Sequence, residues 1–244
     1  MNDYHTLTSG TVHLWHGSLL QSPAVAEQLA ATLSTDELTR AERFKFERHQ
    51  RRFKVGRGML RQVLAQYLAC APHEVQFEYG HQGKPKLAPA MTTTVDLRFN
   101  LSHSVDMALL GITCQHEIGV DIECLDRKTD YLGIAERFFS PQEQILLAEV
   151  SPAHQSLAFF NGWTRKEAFV KAVGEGLALP LDLFDVELRP NYPARLLDTR
   201  GKAQVIADWS LRAVPVEDGF VGALAVMGKV DQVENFTWHS ANFE

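Results

Sequence analysis

The chain has 244 residues and a formal net charge of −6, with 45% hydrophobic and 22% charged side chains. That usage is ordinary for a globular protein and excludes a disordered chain, a collagen and a coiled coil. The acid excess weighs against a general nucleic-acid binder, and the length suits one large domain or two small ones.

Val12–Leu14 reads as a short opening strand. Ser34 then marks a helix start, because Glu37 follows three residues later at capping-box spacing. Residues 42–68 are rich in helix formers, with Leu60, Val63, Leu64 and Leu68 at helical spacing, and Ala71-Pro72 ends the run. Val75, Phe77 and Tyr79 alternate as a strand, and residues 80–89 (GHQGKPKLAP) form a turn-rich loop. Strands follow at 97–101, running into Ser102-His103-Ser104, then at 107–113 and 118–122. Helical segments are expected at 134–139 and 142–150, separated by the helix start Ser140-Pro141, and at 160–173, stopped by Gly174 and Gly176. Phe184, Val186 and Leu188 alternate as a strand, and the last third reads as further strands ending with Phe220–Met227.

Cys70, Cys114 and Cys124 have no CxxC spacing, so they form neither a disulfide framework nor a zinc site. Without a basic, then apolar, leader and without an apolar run long enough for a bilayer, the expected location is the cytoplasm. The order helix, proline break, alternating strand occurs twice. Lys54 and Glu167 lie 113 residues apart (167 − 54), as do the strands beginning at Leu109 and Gly222 (222 − 109). This favours two similar α+β halves with a boundary near 114–118 and a cleft between them as a ligand site.

Asp121 and Glu123 in GVDIE share one face of a strand, with Val120 and Ile122 on the other. An all-oxygen carboxylate pair suits Mg2+, although the same pattern also describes an exposed strand face. Glu167 and Lys171 stand at i,i+4 on a helix, which fits either a solvated ion pair or a third carboxylate with an anion-facing lysine. Ser102-His103 offers a hydroxyl and an imidazole to a phosphate oxygen. It can equally be an ordinary loop pair, and no G-x-S-x-G elbow supports a hydrolase.

Between Arg40 and Arg61 nine cations face Glu42 and Glu47, a local charge of +7 that leaves −13 for the remaining chain. Such a run is commonly a solvated helix face. The contrast with the acidic remainder makes phosphate recognition the more pointed reading, with Lys84 and Lys86 available to add to it. There is no Walker loop and no GxGxxG.

Five motifs in order, GKPKL (83–87), FNLSHS (99–104), GVDIE (119–123), RFFS (137–140) and WTRKEAFVKAVGEGL (163–177), closely resemble the 4′-phosphopantetheinyl transferases of the Sfp type. The resemblance covers nearly the whole chain. It implies an α+β fold in pseudo-twofold arrangement. Each similar α/β half would be a small antiparallel-type sheet packed on a long helix, with the active site in the cleft between them. The halves would be 1–116 and 117–244.

It also implies Mg2+ on residues matching Asp121, Glu123 and Glu167. Coenzyme A would be held by residues matching Arg40, Arg52, Lys84, Ser102, His103 and Lys171, and Glu167, Lys171 and His103 would act in catalysis. The implied partner is an apo acyl or peptidyl carrier protein of fatty-acid, polyketide or nonribosomal-peptide synthesis. A monomer with no nucleic-acid or membrane partner is expected. Phe53 departs from the small polar residue common after the Arg52 position, and Glu37 falls where a phosphate-binding lysine stands in the best-known member. Two other readings are a Mg2+-dependent phosphodiesterase or nuclease using the same carboxylates, and a non-catalytic module holding RNA or an acidic protein.

Overall fold

The computed structural model describes residues 7–80, 82–91, 96–125, 128–176, 179–200 and 203–243. His81 of the turn-rich loop and Leu177, which ends the last motif, lie outside them.

The first half begins with β1 (Thr11–Ser18), α1 (Pro23–Ala30), α2 (Thr35–Glu42) and α3 (Glu47–Leu68). It continues with β2 (Phe77–Tyr79), β3 (Pro85–Leu87), β4 (Leu97–Ser104) and β5 (Met107–Cys114). The second half repeats this succession: β6 (Ile118–Cys124), α4 (Tyr131–Phe138), α5 (Pro141–Glu149), α6 (Pro152–Val173), β7 (Asp185–Val186) and β8 (Leu196–Asp198). After α7 (Ala203–Asp208) come β9 (Trp209–Val214), β10 (Phe220–Met227) and β11 (Gln232–Thr237).

Both sheets have the same order of matched strands, β1-β5-β4 in the first and β6-β10-β9 in the second, all antiparallel. β11 departs from the repeat. It crosses back and pairs parallel with β1, from Thr11↔Gln232 to His16↔Thr237. A boundary between 116 and 117 would fall in the short link from β5 to β6.

Each sheet packs one face on a 22-residue helix. Val55, Met59, Leu60, Val63 and Leu64 of α3 meet Trp15, Phe99, Leu110 and Ile112. Ala168, Phe169, Val170 and Ala172 of α6 meet Leu211, Ala223 and Ala225. The other faces meet in a shared layer that includes Val12, Leu14, Leu109, Ile118, Val120, Ile122 and Leu224. A fully buried aliphatic side chain in such a layer stabilises by about 1.5–3 kcal/mol.

Local chemistry explains the elements that differ from the sequence expectations. The 42–68 run is not one helix. α2 ends at Glu42, and Phe46 is extended at φ −112°, ψ 133°, so the chain doubles back before α3. α1 has a cap of its own, with Ser22 accepting from the Val25 N–H at 3.3 Å and Pro23 opening the helix. Part of the turn-rich loop is strand β3, paired with β2 from Phe77↔Leu87 to Tyr79↔Pro85. α6 starts at Pro152 rather than near Phe160, and α7 lies where strands were expected.

Candidate functional site between the two halves

β6 is the edge of its sheet, and β4, an edge of the other, lies beside it. Alternate side chains of β4 reach across the junction. Asn100 Oδ1 accepts from the Val120 N–H at 2.9 Å, and Ser102 Oγ donates to Asp121 Oδ1 at 2.8 Å. Ser104 Oγ donates to Glu123 Oε2 at 2.7 Å and accepts from the Cys124 N–H at 3.2 Å. Side chains thus satisfy backbone N–H groups of β6 that a further strand would otherwise take. Asn100 and Ser104 were not among the predicted site residues. Their signal was the period-two polar face Asn100, Ser102, Ser104.

α6 supplies the opposite wall. Lys171 Nζ donates to Asp121 Oδ1 at 2.6 Å and to Ser102 Oγ at 3.0 Å. Asp121 is 4% exposed, and its Oδ2 is buried with no hydrogen-bond partner. Burial raises its carboxyl above the usual range, against the pull of Lys171 and Ser102. Glu167 is raised in the same way, by burial first, with Lys171 opposing and the charges of Asp121 and Glu123 adding. The three carboxylates and the lysine therefore lie within one another's field.

A cleft of about 500 Å³ opens beside this junction. Arg40, Arg52 and His103 line it, together with Phe44, Phe53 and Tyr79. Arg52 Nε donates to Asp106 Oδ1 at 2.7 Å in the β4–β5 turn, and the Arg40 guanidinium stands 5.6 Å from the Phe53 ring centre. Phe53 thus presents a flat apolar surface flanked by a cation. His103, at the rim, is held below the usual imidazole value by desolvation in the cleft, then by the charges of Lys171 and Arg52.

The basic run is divided among several tasks. Arg57 and Arg61 are buried on the single carboxylate of Glu37, each Nε donating to a different oxygen at 2.7 Å. Glu37, 1% exposed, also accepts from the Ser34 N–H at 3.0 Å. The substitution at position 37 is therefore part of a buried ion triad joining α2 to α3. Arg51 pairs with Glu47 on the surface, and Arg40 and Arg52 reach the cleft. Lys84 is elsewhere. Gly83 and Pro85 line the cleft, but the Lys84 ammonium faces Glu117 and two backbone carbonyls.

Clustered carboxylates and a lysine beside a basic cleft large enough for a nucleotide define a site of the phosphoryl-transfer type, where positioning and charge do most of the work. Residues 117–225 match the model of the 4′-phosphopantetheinyl transferase superfamily, and residues 21–115 match that of the 4′-phosphopantetheinyl transferase N-terminal region. The sequence is 42% identical to the 4′-phosphopantetheinyl transferase HetI of Nostoc sp. over 91% of this chain and 90% of that protein. It is 32% identical to the 4′-phosphopantetheinyl transferase Sfp of Bacillus subtilis over 66% of this chain and 69% of that one. A holo-(acyl-carrier-protein) synthase from Bacillus anthracis, solved in complex with CoA (3′,5′-ADP), overlays 46% of this chain and 96% of its own. The TM-score of that overlay is 0.37, with 20% sequence identity. The chain belongs to the 4′-phosphopantetheinyl transferase family.

The residues present suit the magnesium ion that such an activity implies. The donors are carboxylate oxygens, as Mg2+ requires. Asp121 Oδ2 is a buried carboxyl oxygen lacking any hydrogen-bond partner, a group that costs about 1–3 kcal/mol or more unless a cation or a proton meets it. Among the described residues no three His, Cys, Asp or Glu side chains stand as a ready cation cage. Lys171 takes the other oxygen of Asp121. No helix among the described residues is long and apolar enough to cross a membrane.

Proposed function

We propose that this chain transfers the 4′-phosphopantetheine arm of coenzyme A to a serine of an apo acyl or peptidyl carrier protein, releasing adenosine 3′,5′-bisphosphate, with Mg2+ as cofactor. It acts as a cytoplasmic monomer. The observation that carries this reading is the unpartnered buried oxygen of Asp121, set against Lys171 and Ser102 where the two halves meet.

Arg40 and Arg52 hold the nucleotide end of coenzyme A in the cleft, with the base against Phe53. His103 lines the cleft and Lys171 stands at the adjoining junction, where they donate to pyrophosphate oxygens and stabilise charge on the departing phosphate. Asp121, Glu123 and Glu167 would hold Mg2+, which when bound supplies charge neutralisation at the pyrophosphate. Glu167, whose carboxyl burial holds above its usual range, takes the proton of the carrier serine as its oxygen attacks the β-phosphorus. The new bond joins the serine oxygen to the β-phosphorus. The bond that breaks is from that phosphorus to the bridging oxygen, which leaves with the nucleotide.

Mixing the protein with an apo-carrier, coenzyme A and Mg2+ and then weighing the carrier tests the reading. The carrier is expected to gain the mass of one phosphopantetheine. An unmodified carrier, or cleavage of a phosphodiester in its place, would overturn it.

A further inference from the structure

Resting on that reading, we infer that Lys84 is a positioning residue of the first half that clamps α6 to β6 of the second, and does not contact the phosphates of coenzyme A. Its ammonium has three N–H donors and no acceptor. Three acceptors surround it: Glu117 Oε2 at 3.3 Å, Ile118 O at 3.1 Å and Ala172 O at 3.4 Å. Each N–H has a partner, which leaves none for a phosphate oxygen. The side chain is 22% exposed, and burial lowers its pKa against the pull of Glu117.

The two carbonyls are the ones that locate the site. Ala172 follows Lys171 and precedes Val173, where α6 ends. Its carbonyl is one of the last four of the helix, which have no partner within it and carry the negative end of the helix dipole. Ile118 opens β6, three residues before Asp121. Lys84 therefore holds the chain on both sides of the 2.6 Å pair between Lys171 and Asp121.

Two neighbouring features make that hold tight. At Gly119 a Cβ would lie 2.0 Å from Ala168 O and 2.4 Å from Ala172 N, so helix and strand backbones touch there. Glu117 Oε1 accepts from Arg98 Nη1 of β4 at 2.7 Å. The same glutamate thereby ties Lys84 to the strand that carries Ser102.

The test compares Lys84→Met and Lys84→Arg with the parent protein. It uses steady-state transfer with a saturating carrier and hydrogen exchange of the backbone amides. Misplacing a reacting group by an ångström can cost about 100-fold in rate. Lys84→Met should lose about 10- to 100-fold in kcat while KM for coenzyme A stays within about twofold. Lys84→Arg, which keeps the charge and donors for both carbonyls, should recover most of kcat. Amide exchange should quicken in the last turn of α6 and at the start of β6 in Lys84→Met.

A tenfold or greater rise in KM for coenzyme A with kcat retained would overturn the inference, as would unchanged kcat or unchanged exchange in both variants. If Lys84→Met does not fold, Glu117→Gln replaces it, with a smaller fall in kcat and unchanged KM expected. A raised KM in that variant or in Lys84→Arg would count against the clamp. Failure of the transferase reading would look different: the parent would not modify the carrier, while the exchange difference would persist.

Discussion

β1 and β6 occupy the same place in the two halves, each paired antiparallel along one edge, with β5 or with β10. Their other edges are treated differently. The backbone of β11 runs along β1, whereas β6 is met by the side chains Asn100, Ser102 and Ser104 of β4. The residues facing these edges differ accordingly. Counted along β5 and β10, Asp121 opposes the fourth residue of β10 and Trp15 the fourth of β5; Glu123 and Gly17 oppose the second. At the sixteenth position of the long helices Glu167 matches Gln62.

The first set closes into a core. Trp15 Nε1 donates to Tyr67 at 3.0 Å, Gln62 accepts from Trp238 at 3.1 Å, and a Cβ at Gly17 would meet the Trp238 ring at 2.9 Å. An edge sealed by a backbone ladder leaves no room for a ligand. An edge bridged by side chains leaves polar groups between the halves, and there the carboxylates stand.

A second pair of matched features separates arginine from lysine. Glu37 and Glu143 each sit three residues after a helix-capping serine and reach a cation at the fifteenth position of the long helix, Arg61 or Lys166. Glu37 carries Arg57 as well. Glu143 and Lys166 are both fully buried, at 2.8 Å. Burial lowers the pKa of Lys166, with Glu143 raising it, so this cation has the option of shedding its proton. An arginine has none.

These contrasts can be broken one at a time. Asp121→Asn should lower transfer by about a thousandfold with the fold retained, because positioning and charge carry the reaction. Gln62→Glu, the matched change in the first half, should create no compensating activity. Equal transfer by Asp121→Asn and the parent would break the comparison outright.

Glu37→Gln should cost about 3–5 kcal/mol by denaturant unfolding, since two buried guanidiniums lose the carboxylate they share. Glu143→Gln should cost less, and its deficit should shrink as pH rises. In that variant the folded state loses the Lys166 proton at lower pH than the unfolded chain does. The unfolded state therefore binds more protons, and stability increases with pH between the two values. The deficit of Glu37→Gln should stay level over the same range; a parallel decline in both would remove the distinction.

Arg52→Met should raise KM for coenzyme A about tenfold with kcat little changed, as expected for loss of a ground-state phosphate contact. The smallest effect belongs to Arg51→Ala, on an exposed i,i+4 pair with Glu47 at 2.8 Å, worth about 0.5 kcal/mol or less.

Much of this was legible before folding. The capping glutamate Glu37, the shared face of Asp121 and Glu123 and the 113-residue offset of β5 and β10 follow from spacings within one element or between two copies of it. The long helices match instead at 105 residues (152 − 47), with Gln62 and not Lys54 opposite Glu167. The task of Glu37 was not legible, because Arg57 and Arg61 lie 20 and 24 residues away and meet it only after the chain reverses at 43–46. The surroundings of Lys84 were not legible for a related reason. Its motif lies at the edge of the cleft, but its ammonium turns to carbonyls 34 and 88 residues away. β11 and α7 also escaped, the first because its reason for forming is the open edge of β1.

The sequence by itself determined which residues share a face, where helices begin, that the architecture is doubled and which family its motifs resemble. Those properties depend on backbone periodicity and on caps a few residues away. Only the tertiary structure decided which of the two matched edges is sealed, which cations are consumed inside the fold, and which carboxylate oxygen is left without a partner. Each of these depends on donors and acceptors distant in the chain competing for the same few ångströms, and packing alone settles that competition.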